Sequence, residues 1–431
     1  MSLVRPHSPQ SSAREVWLFV DGASEFGGHE VMLIRWLQEI QFRGYPKCQL
    51  LARQGSRLEQ HGRGFLFVDT FKPEGSSRWQ LTNRLVHLWT TVCDAVKLWR
   101  TLVTLRPSLC IIAEGFVCRT PVYALIARLW GVRVAVYTPV IDGSRAMRFR
   151  FAWLRDCLTK LVYANMPDAW ITITDAQAER FARWAHVRRP IFTLCNTVSR
   201  EIERQANLQQ YRAPKTESGR LNVMVLGRLD SHQKGLDLLL DYLEDAAAMR
   251  ELLHVNIVGE GYYKGEIQRR LARSTLLSTL VSLHPWEDNP AEMIKRNDVL
   301  LIPSRYEGVP LVMLEAMCLG LPVVSSDLPG TRTFLPPECL FPVGSFARAF
   351  EITLKLGRTQ LRREIITRNA EMFRTNASHT AFGANVNRLT DQLLGITARR
   401  GTMVTRSTHS LAAPDDYQGH NKSATGRGEI R

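Results

Sequence analysis

The chain has 431 residues, 45% of them hydrophobic and 23% charged, with 56 Lys and Arg against 41 Asp and Glu for a net charge of +15. That length suits two ordinary domains, and that composition excludes a disordered, collagenous or membrane-bundle protein over most of the chain. The excess of positive charge points to a polyanionic partner, which leaves nucleic acid, anionic lipid headgroups and phosphorylated small molecules open.

Residues 1–13 read as a flexible start. From there to residue 199, short apolar runs alternate with glycine-containing loops and amphipathic helices. Strands are predicted at Val16–Asp21, Cys48–Ala52, Phe65–Val68, Leu109–Ala113, Val132–Tyr137, Trp170–Thr174 and Ile191–Leu194. Helical spacing links Val31, Ile34, Leu37, Gln38 and Phe42, and a second helix runs from Pro121 to Trp130. A longer helix between Trp79 and Val103 places Leu81, Leu85, Leu88, Val92, Ala95, Trp99 and Leu102 on one face. Trp89 lies close to that face, with Arg84, Lys97 and Arg100 beside it; the stripe reads either as a core face or as a membrane-contact face.

Residues 200–219 are polar and read as a linker, with or without a surface helix. The alternation restarts over 220–376, with strands predicted at Leu221–Leu226, His254–Val258, Leu280–Leu283, Val299–Pro303 and Leu321–Ser325. A helix at 377–395 is expected to pack back on the first domain, and 396–431 reads as a disordered tail. Alternating strand and helix on this scale predict an α/β protein of two Rossmann-like parallel-sheet domains facing across a cleft.

Four loops carry the candidate chemistry. In the stretch 301–330, LIPSRYEGVPLVMLEAMCLGLPVVSSDLPG, a strand ends at Pro303 and a helix is predicted from near Pro310 to Gly320. Glu307 stands just outside its N-terminus and Glu315 within it, while the amides of Gly308, Val309 and Leu311 form a ready phosphate site. In VLGRLDSHQKGLDLLL, Arg228 and Lys234 fall in the loop after the first strand of the second domain, where both can reach a diphosphate. In IVGEGYYKGEI, Gly259 and Gly261 form a strand-to-helix turn that, with Trp286 in the later turn, would shape a nucleobase pocket. In SEFGGHE, Gly27 and Gly28 let backbone approach a ligand at a helix start, although a tight turn alone would also want them.

Together these residues resemble the retaining glycosyltransferases of sequence family four, which have the GT-B fold. The resemblance covers roughly residues 16–395 and is most specific at the E-x7-E string of Glu307 and Glu315. It implies that Glu307 contacts the donor sugar and stabilises the reacting centre, that Glu315 binds the ribose hydroxyls, and that Arg228 and Lys234 hold the diphosphate. It also implies that the Gly27-Gly28 loop approaches phosphate and sugar, and that neither metal nor cofactor is needed. The His that many members carry after the fifth strand is absent: VAVYTPVID puts Thr138, Pro139 or Asp142 there.

The charge is unevenly placed. Residues 1–199 hold 26 basic and 15 acidic side chains, 200–395 hold 24 and 23, and 396–431 hold 6 and 3. Nine of the ten Trp fall in the first part as well, all but Trp286. Indole prefers the headgroup layer and guanidinium pairs with phosphate, so this half suits an anionic membrane surface. The expected activity is retaining transfer of a hexose from a nucleotide-diphosphate sugar to a lipid-linked saccharide in cell-surface polysaccharide or glycolipid assembly. The alternatives are a GT-B-fold sugar-nucleotide epimerase, an inactive sugar-nucleotide-binding protein and, remotely, a nucleic-acid-binding protein. The eight cysteines show no C-x-x-C spacing, the start shows no signal-peptide pattern, and no uncharged apolar run approaches the ~18 residues of a spanning helix. A cytoplasmic protein, peripheral on the inner face of the plasma membrane, is expected.

Overall fold

Buried parallel strands need helices on both faces, so their sequences are near-continuous apolar runs. A computed structural model of the chain describes residues 15–398 apart from 24–26, 65–66, 72–81, 142, 146, 148, 150, 208–218, 287–289 and 359. The expected flexible start, nearly all of the expected tail, Asp142 and the helical positions before residue 82 lie outside the described residues. Seven strands form the first sheet: β1 Val16–Val20, β2 Lys47–Arg53, β3 Phe67–Phe71, β4 Leu109–Ala113, β5 Arg133–Tyr137, β6 Ala169–Thr172 and β7 Ile191–Thr193. Six form the second: β8 Leu221–Leu226, β9 Leu253–Val258, β10 Val281–His284, β11 Val299–Ile302, β12 Val323–Ser326 and β13 Leu340–Phe341.

The strand orders are β3-β2-β1-β4-β5-β6-β7 and β10-β9-β8-β11-β12-β13, parallel throughout. Each sheet therefore reverses its direction of growth beside its first strand, between β1 and β4 and between β8 and β11. Loops leaving the carboxyl ends of those pairs diverge and open a crevice, which is where such sheets bind ligands. The two Rossmann-like domains expected from the alternation are present.

Two elements sit differently from the expectation. The third strand is Phe67–Phe71 rather than Phe65–Val68, because its pairing with β2 runs from Gln49–Phe67 to Arg53–Phe71. The edge strand β13 has only two residues, too few for any periodicity to show.

One face of the first sheet packs Trp17 and Phe19 against Trp36 of the helix Gly28–Arg43. The helix His379–Ala398 returns to the same core through Phe382, Val386, Leu389 and Leu393. The other face is covered by Leu98 and Leu102 of the helix Thr82–Leu105, together with Tyr123 and Phe181. In that helix the buried line runs Asp94, Leu98 and Leu102, while Trp89, Val92 and Trp99 are exposed. Of the expected stripe Leu102 is therefore in the core, while Val92 and Trp99 are turned outward. The cause is a buried ion pair: Arg53 donates to both Asp94 oxygens at 2.9 and 2.7 Å, and Tyr123 donates to the second at 3.0 Å. A charged residue is in the core because its partner is too, and no apolar pattern reveals that.

The chain passes between the domains at residues 194–199 and 376–379. At these crossings Thr197 Oγ1 donates to the Ala377 carbonyl at 2.7 Å, and Asn196 Nδ2 donates to the Val309 carbonyl at 2.7 Å. The segment read as a linker with or without a surface helix begins as the helix Arg200–Asn207, with Ile202 buried.

Candidate active site

In the second domain the site starts from a short loop after β8. Asp230 accepts from the Gln233 amide at 2.7 Å and so caps the turn Ser231–Lys234, which holds Lys234 inward. Lys234 Nζ lies 2.5 Å from Glu307 Oε1, and Ser304 Oγ donates to the same oxygen at 2.9 Å. Glu307 is almost fully buried, so its charge is held by these two donors rather than by water. Arg228 is exposed beside them and donates to Gln233 Oε1 at 2.9 Å. Three of the predicted residues, from loops some seventy positions apart, therefore meet at the carboxyl ends of β8 and β11.

Arg305 joins the two loops, and the sequence reading did not single it out. Its guanidinium grips Asp237 at 2.7 and 2.8 Å and donates to the Ser231 and His232 carbonyls at 3.1 and 2.8 Å. Burial alone would raise the Asp237 carboxyl, but the paired hydrogen bonds from Arg305 hold it below its ordinary value. The only sequence signal was a basic residue two positions before Glu307.

The helix of the E-x7-E string runs Leu311–Cys318. Pro310 precedes it in extended conformation (φ −61°, ψ 127°) instead of occupying the first turn, and Gly320 lies beyond its end at φ +73°. The chain before the helix is enclosed. A β-carbon on Gly308 would stand 2.6 Å from Ile173 Cδ1 and 2.7 Å from the Pro139 carbonyl oxygen, both in the first domain. Pro139, one of the three residues that stand near the place of the absent family His, thus packs on Gly308 across the domain boundary. Val309 is buried and pinned through its carbonyl to Asn196.

Leu311 and Glu315 share a helix face turned toward the first domain. A β-carbon on Gly28 would lie 3.7 Å from Leu311 Cδ1, so the Gly27-Gly28 loop meets the start of the E-x7-E helix. Burial raises the Glu315 carboxyl, and Arg35 of the helix Gly28–Arg43 offsets part of that rise. Arg35 itself donates to the Thr197 carbonyl at the crossing. It too was missed, being one of several arginines on a helix.

Gly259 and Gly261 answer to a backbone crossing. A β-carbon on them would fall 1.9 Å from the Gly227 carbonyl and 2.4 Å from the Leu229 carbonyl. The turn after β9 is thereby locked onto the loop that carries Arg228. Trp286 stands exposed after the edge strand β10, and residues 287–289 of that turn lie outside the described set.

On the first-domain side, Glu30 Oε2 accepts from the Gly27 amide at 2.8 Å and closes the glycine loop. His29 lies between two carboxylates, with Nδ1 3.0 Å from Glu30 Oε2 and Nε2 3.4 Å from Asp21 Oδ2. Burial alone would lower its pKa, but the charge and hydrogen bonds of Glu30 and Asp21 outweigh it and lift the imidazole to about 9. The protonated ring supplies the countercharge for both acids, whose ligand atoms with its own lie within 4.8 Å of one another. The signal for this residue was the His in GGHE; its partner Asp21, at the end of β1, was not readable from spacing.

Comparison with known proteins bears on the fold and on the second domain. Residues 220–355 match the family model "Glycosyl transferases group 1". The putative glycosyltransferase EpsF of Bacillus subtilis is 28% identical over 219 residues, 48% of this chain and 55% of that protein. The UDP-Gal:alpha-D-GlcNAc-diphosphoundecaprenol alpha-1,3-galactosyltransferase of Escherichia coli is 30% identical over 82 residues, 19% of this chain and 21% of its own length. The chain thus aligns with little more than half of one relative and a fifth of the other. Anabaena HepE in complex with UDP superposes with a TM-score of 0.63 over 88% of this chain and 99% of its own, at 16% identity, which speaks to fold alone. The protein has the GT-B fold, and residues 220–355 of its second domain match the glycosyl transferases group 1 family model.

Proposed function

We propose that the protein transfers a hexose from a nucleotide-diphosphate sugar, with retention at the anomeric carbon and without metal or cofactor. The acceptor is a lipid-linked saccharide of cell-surface polysaccharide assembly, met at the cytoplasmic face of an anionic membrane. The observation that carries the donor half is the Lys234–Glu307 pair at the switch point of the second sheet, with the Gly28 loop of the first domain against Leu311 at the start of the helix that follows. Arg228 and Lys234 would take the diphosphate and stabilise the charge that develops on it as the glycosidic bond breaks. Two cations doing this remove the need for a divalent ion. Glu307, released from Lys234 by the incoming phosphate, would face the sugar, and Glu315 the ribose. Closure over Gly308 would exclude water from the reacting centre.

The acceptor half rests on the first domain, which carries the charge excess and nine of the ten Trp. The diphosphoundecaprenol-linked substrate in the name of the Escherichia coli relative supports a lipid-linked acceptor here. No helix among the described residues is long and apolar enough to cross a membrane, so contact with lipid would be peripheral. A screen of sugar nucleotides for thermal stabilisation tests the donor assignment: one nucleotide sugar should raise Tm, and Lys234→Ala should abolish the rise. A flat screen across uridine, guanosine, adenosine and thymidine diphosphate sugars would refute it.

A further inference from the structure

The helix Ala152–Leu161 is inside out. Its polar residues face the protein: Thr159 is 1% exposed and donates to the Arg155 carbonyl at 2.8 Å, and Asp156 accepts from the Ser144 amide at 2.8 Å. Its apolar residues face away, with Trp153 61%, Leu154 42%, Leu158 51% and Leu161 80% exposed. A helix in a globular protein normally does the reverse, and an outward stripe of this kind needs an apolar medium against it.

Beside the start of this helix is a cluster of cations and rings at the carboxyl end of β4. Phe116 and Phe149 pack with their planes tilted by 39° and centroids 5.1 Å apart, Arg119 lies 5.8 Å from the first ring and Arg155 4.6 Å from the second. Arg155 Nη2 donates to the Cys118 carbonyl at 3.1 Å, while its buried Nε has no hydrogen-bond partner. Cys118 and Phe151, which flank the cluster, are two of the four described non-glycine residues held at positive φ, +65° and +57°. Such strain persists where the surroundings enforce it and gathers at ligand sites.

The cluster is continuous with the catalytic crevice. A β-carbon on Gly115 would lie 3.4 Å from the His29 ring and 3.6 Å from Arg119 Nη1, and His29 adjoins Gly28, which meets Leu311. One path therefore runs from the donor site past His29 to two guanidinium groups on aromatic faces, and then onto an outward apolar helix.

We propose that Arg119 and Arg155, on Phe116 and Phe149, form the subsite for the diphosphate of a polyprenyl-diphosphate-linked acceptor, and that the outward face of Ala152–Leu161 rests in the bilayer that holds its chain. This deepens the acceptor reading above and rests on it. The order of chemistry along the path matches the order in such a molecule: saccharide toward the donor, diphosphate on the cations, aliphatic chain on the apolar helix. Guanidinium on a ring face leaves for phosphate oxygens the donors it does not already use, as Arg155 uses one on the Cys118 carbonyl. The lysine on the same helix, Lys160, stacks over Trp184 at 5.2 Å at the polar margin of the stripe, as suits a headgroup layer.

The test is flotation of the full chain with phosphatidylcholine vesicles carrying a few mole per cent of a polyprenyl diphosphate. The comparison arm carries phosphatidylglycerol at equal surface charge. Binding should favour the polyprenyl diphosphate about tenfold or more, Arg119→Ala and Arg155→Lys should each remove most of that preference, and Leu158→Ser with Leu161→Ser should weaken binding to both vesicle types. Inorganic diphosphate should compete only weakly. Equal binding to both vesicles, binding to neither, or a preference unmoved by Arg119→Ala would overturn the subsite, as would full competition by inorganic diphosphate. Thermal stabilisation by the sugar nucleotide, read on every variant, reports folding and the donor site separately. Its loss in the parent protein would count against the donor reading and leave the vesicle result standing.

Discussion

The two domains share one topology and solve opposite problems with charge. In the second, acids and bases nearly balance, and the crevice is built from matched groups: Lys234 with Glu307, Arg305 with Asp237. In the first, bases exceed acids by eleven, and cations and rings stand toward solvent beside a helix whose apolar face points outward. The donor site proposed for the second domain gains from preorganised, compensated charge. The membrane contact proposed for the first gains from exposed cations and apolar residues that would be a liability elsewhere.

Breaking the compensated side should cost most. Glu307→Ala and Lys234→Ala are each expected to lower kcat by on the order of 10²-fold or more, as for loss of a preorganised electrostatic group. Full activity in either variant would remove the donor site from this crevice. Next, Gly308→Ala forces a methyl against the Pro139 carbonyl, where only 2.7 Å is available. Overpacking of this kind costs about 1–3 kcal/mol, so steady-state kinetics should show roughly ten- to a hundredfold lower kcat/KM. An unchanged value would mean that the domains need not approach there.

Arg305→Ala should cost about 2 kcal/mol of stability by losing charged hydrogen bonds from a partly buried group, seen as a lower midpoint in urea. Arg305→Lys should recover only part, since it cannot grip Asp237 with two parallel bonds. The smallest effect expected is a pH dependence. His29 has its pKa raised from 6.5 to about 9 by Glu30 and Asp21 against the effect of burial. Its contribution is therefore complete below pH 6.5 and is lost as pH rises through about 9. Relaxation of the loop should reduce this to about 1–2 kcal/mol, read as a Tm that falls more between pH 6 and 9.5 in the parent than in His29→Gln. Parallel pH profiles would show that folding does not raise the His29 pKa.

Much of the second-domain crevice was legible in advance. Glu307, Gly308 and Glu315 stand in one local string, and Arg228 and Lys234 in another, because a loop between a buried strand and its helix is short and holds its polar groups close together in sequence. Arg305, Arg35 and Asp21 were not legible, since each acts through a partner between 8 and 280 positions away. The long helix Thr82–Leu105 shows the limit of periodicity: its apolar spacing was real, yet a paired Asp94 turned a different line into the core.

What the amino-acid sequence determined by itself was the doubled alternation of strand and helix, the E-x7-E helix with its preceding loop, and the division of charge between halves. These are local properties, set by backbone hydrogen-bonding periods and by the apolar runs that buried parallel strands require. What only the tertiary structure decided was which loops meet. The strand order places β1 beside β4 and β8 beside β11, and so brings His29 to Gly115 and Lys234 to Glu307, while the packing of one domain on the other brings Gly308 to Pro139. The same packing turned the helix Ala152–Leu161 inside out, because Arg155 and Asp156 found partners inward and left the leucines to face whatever apolar medium the protein meets.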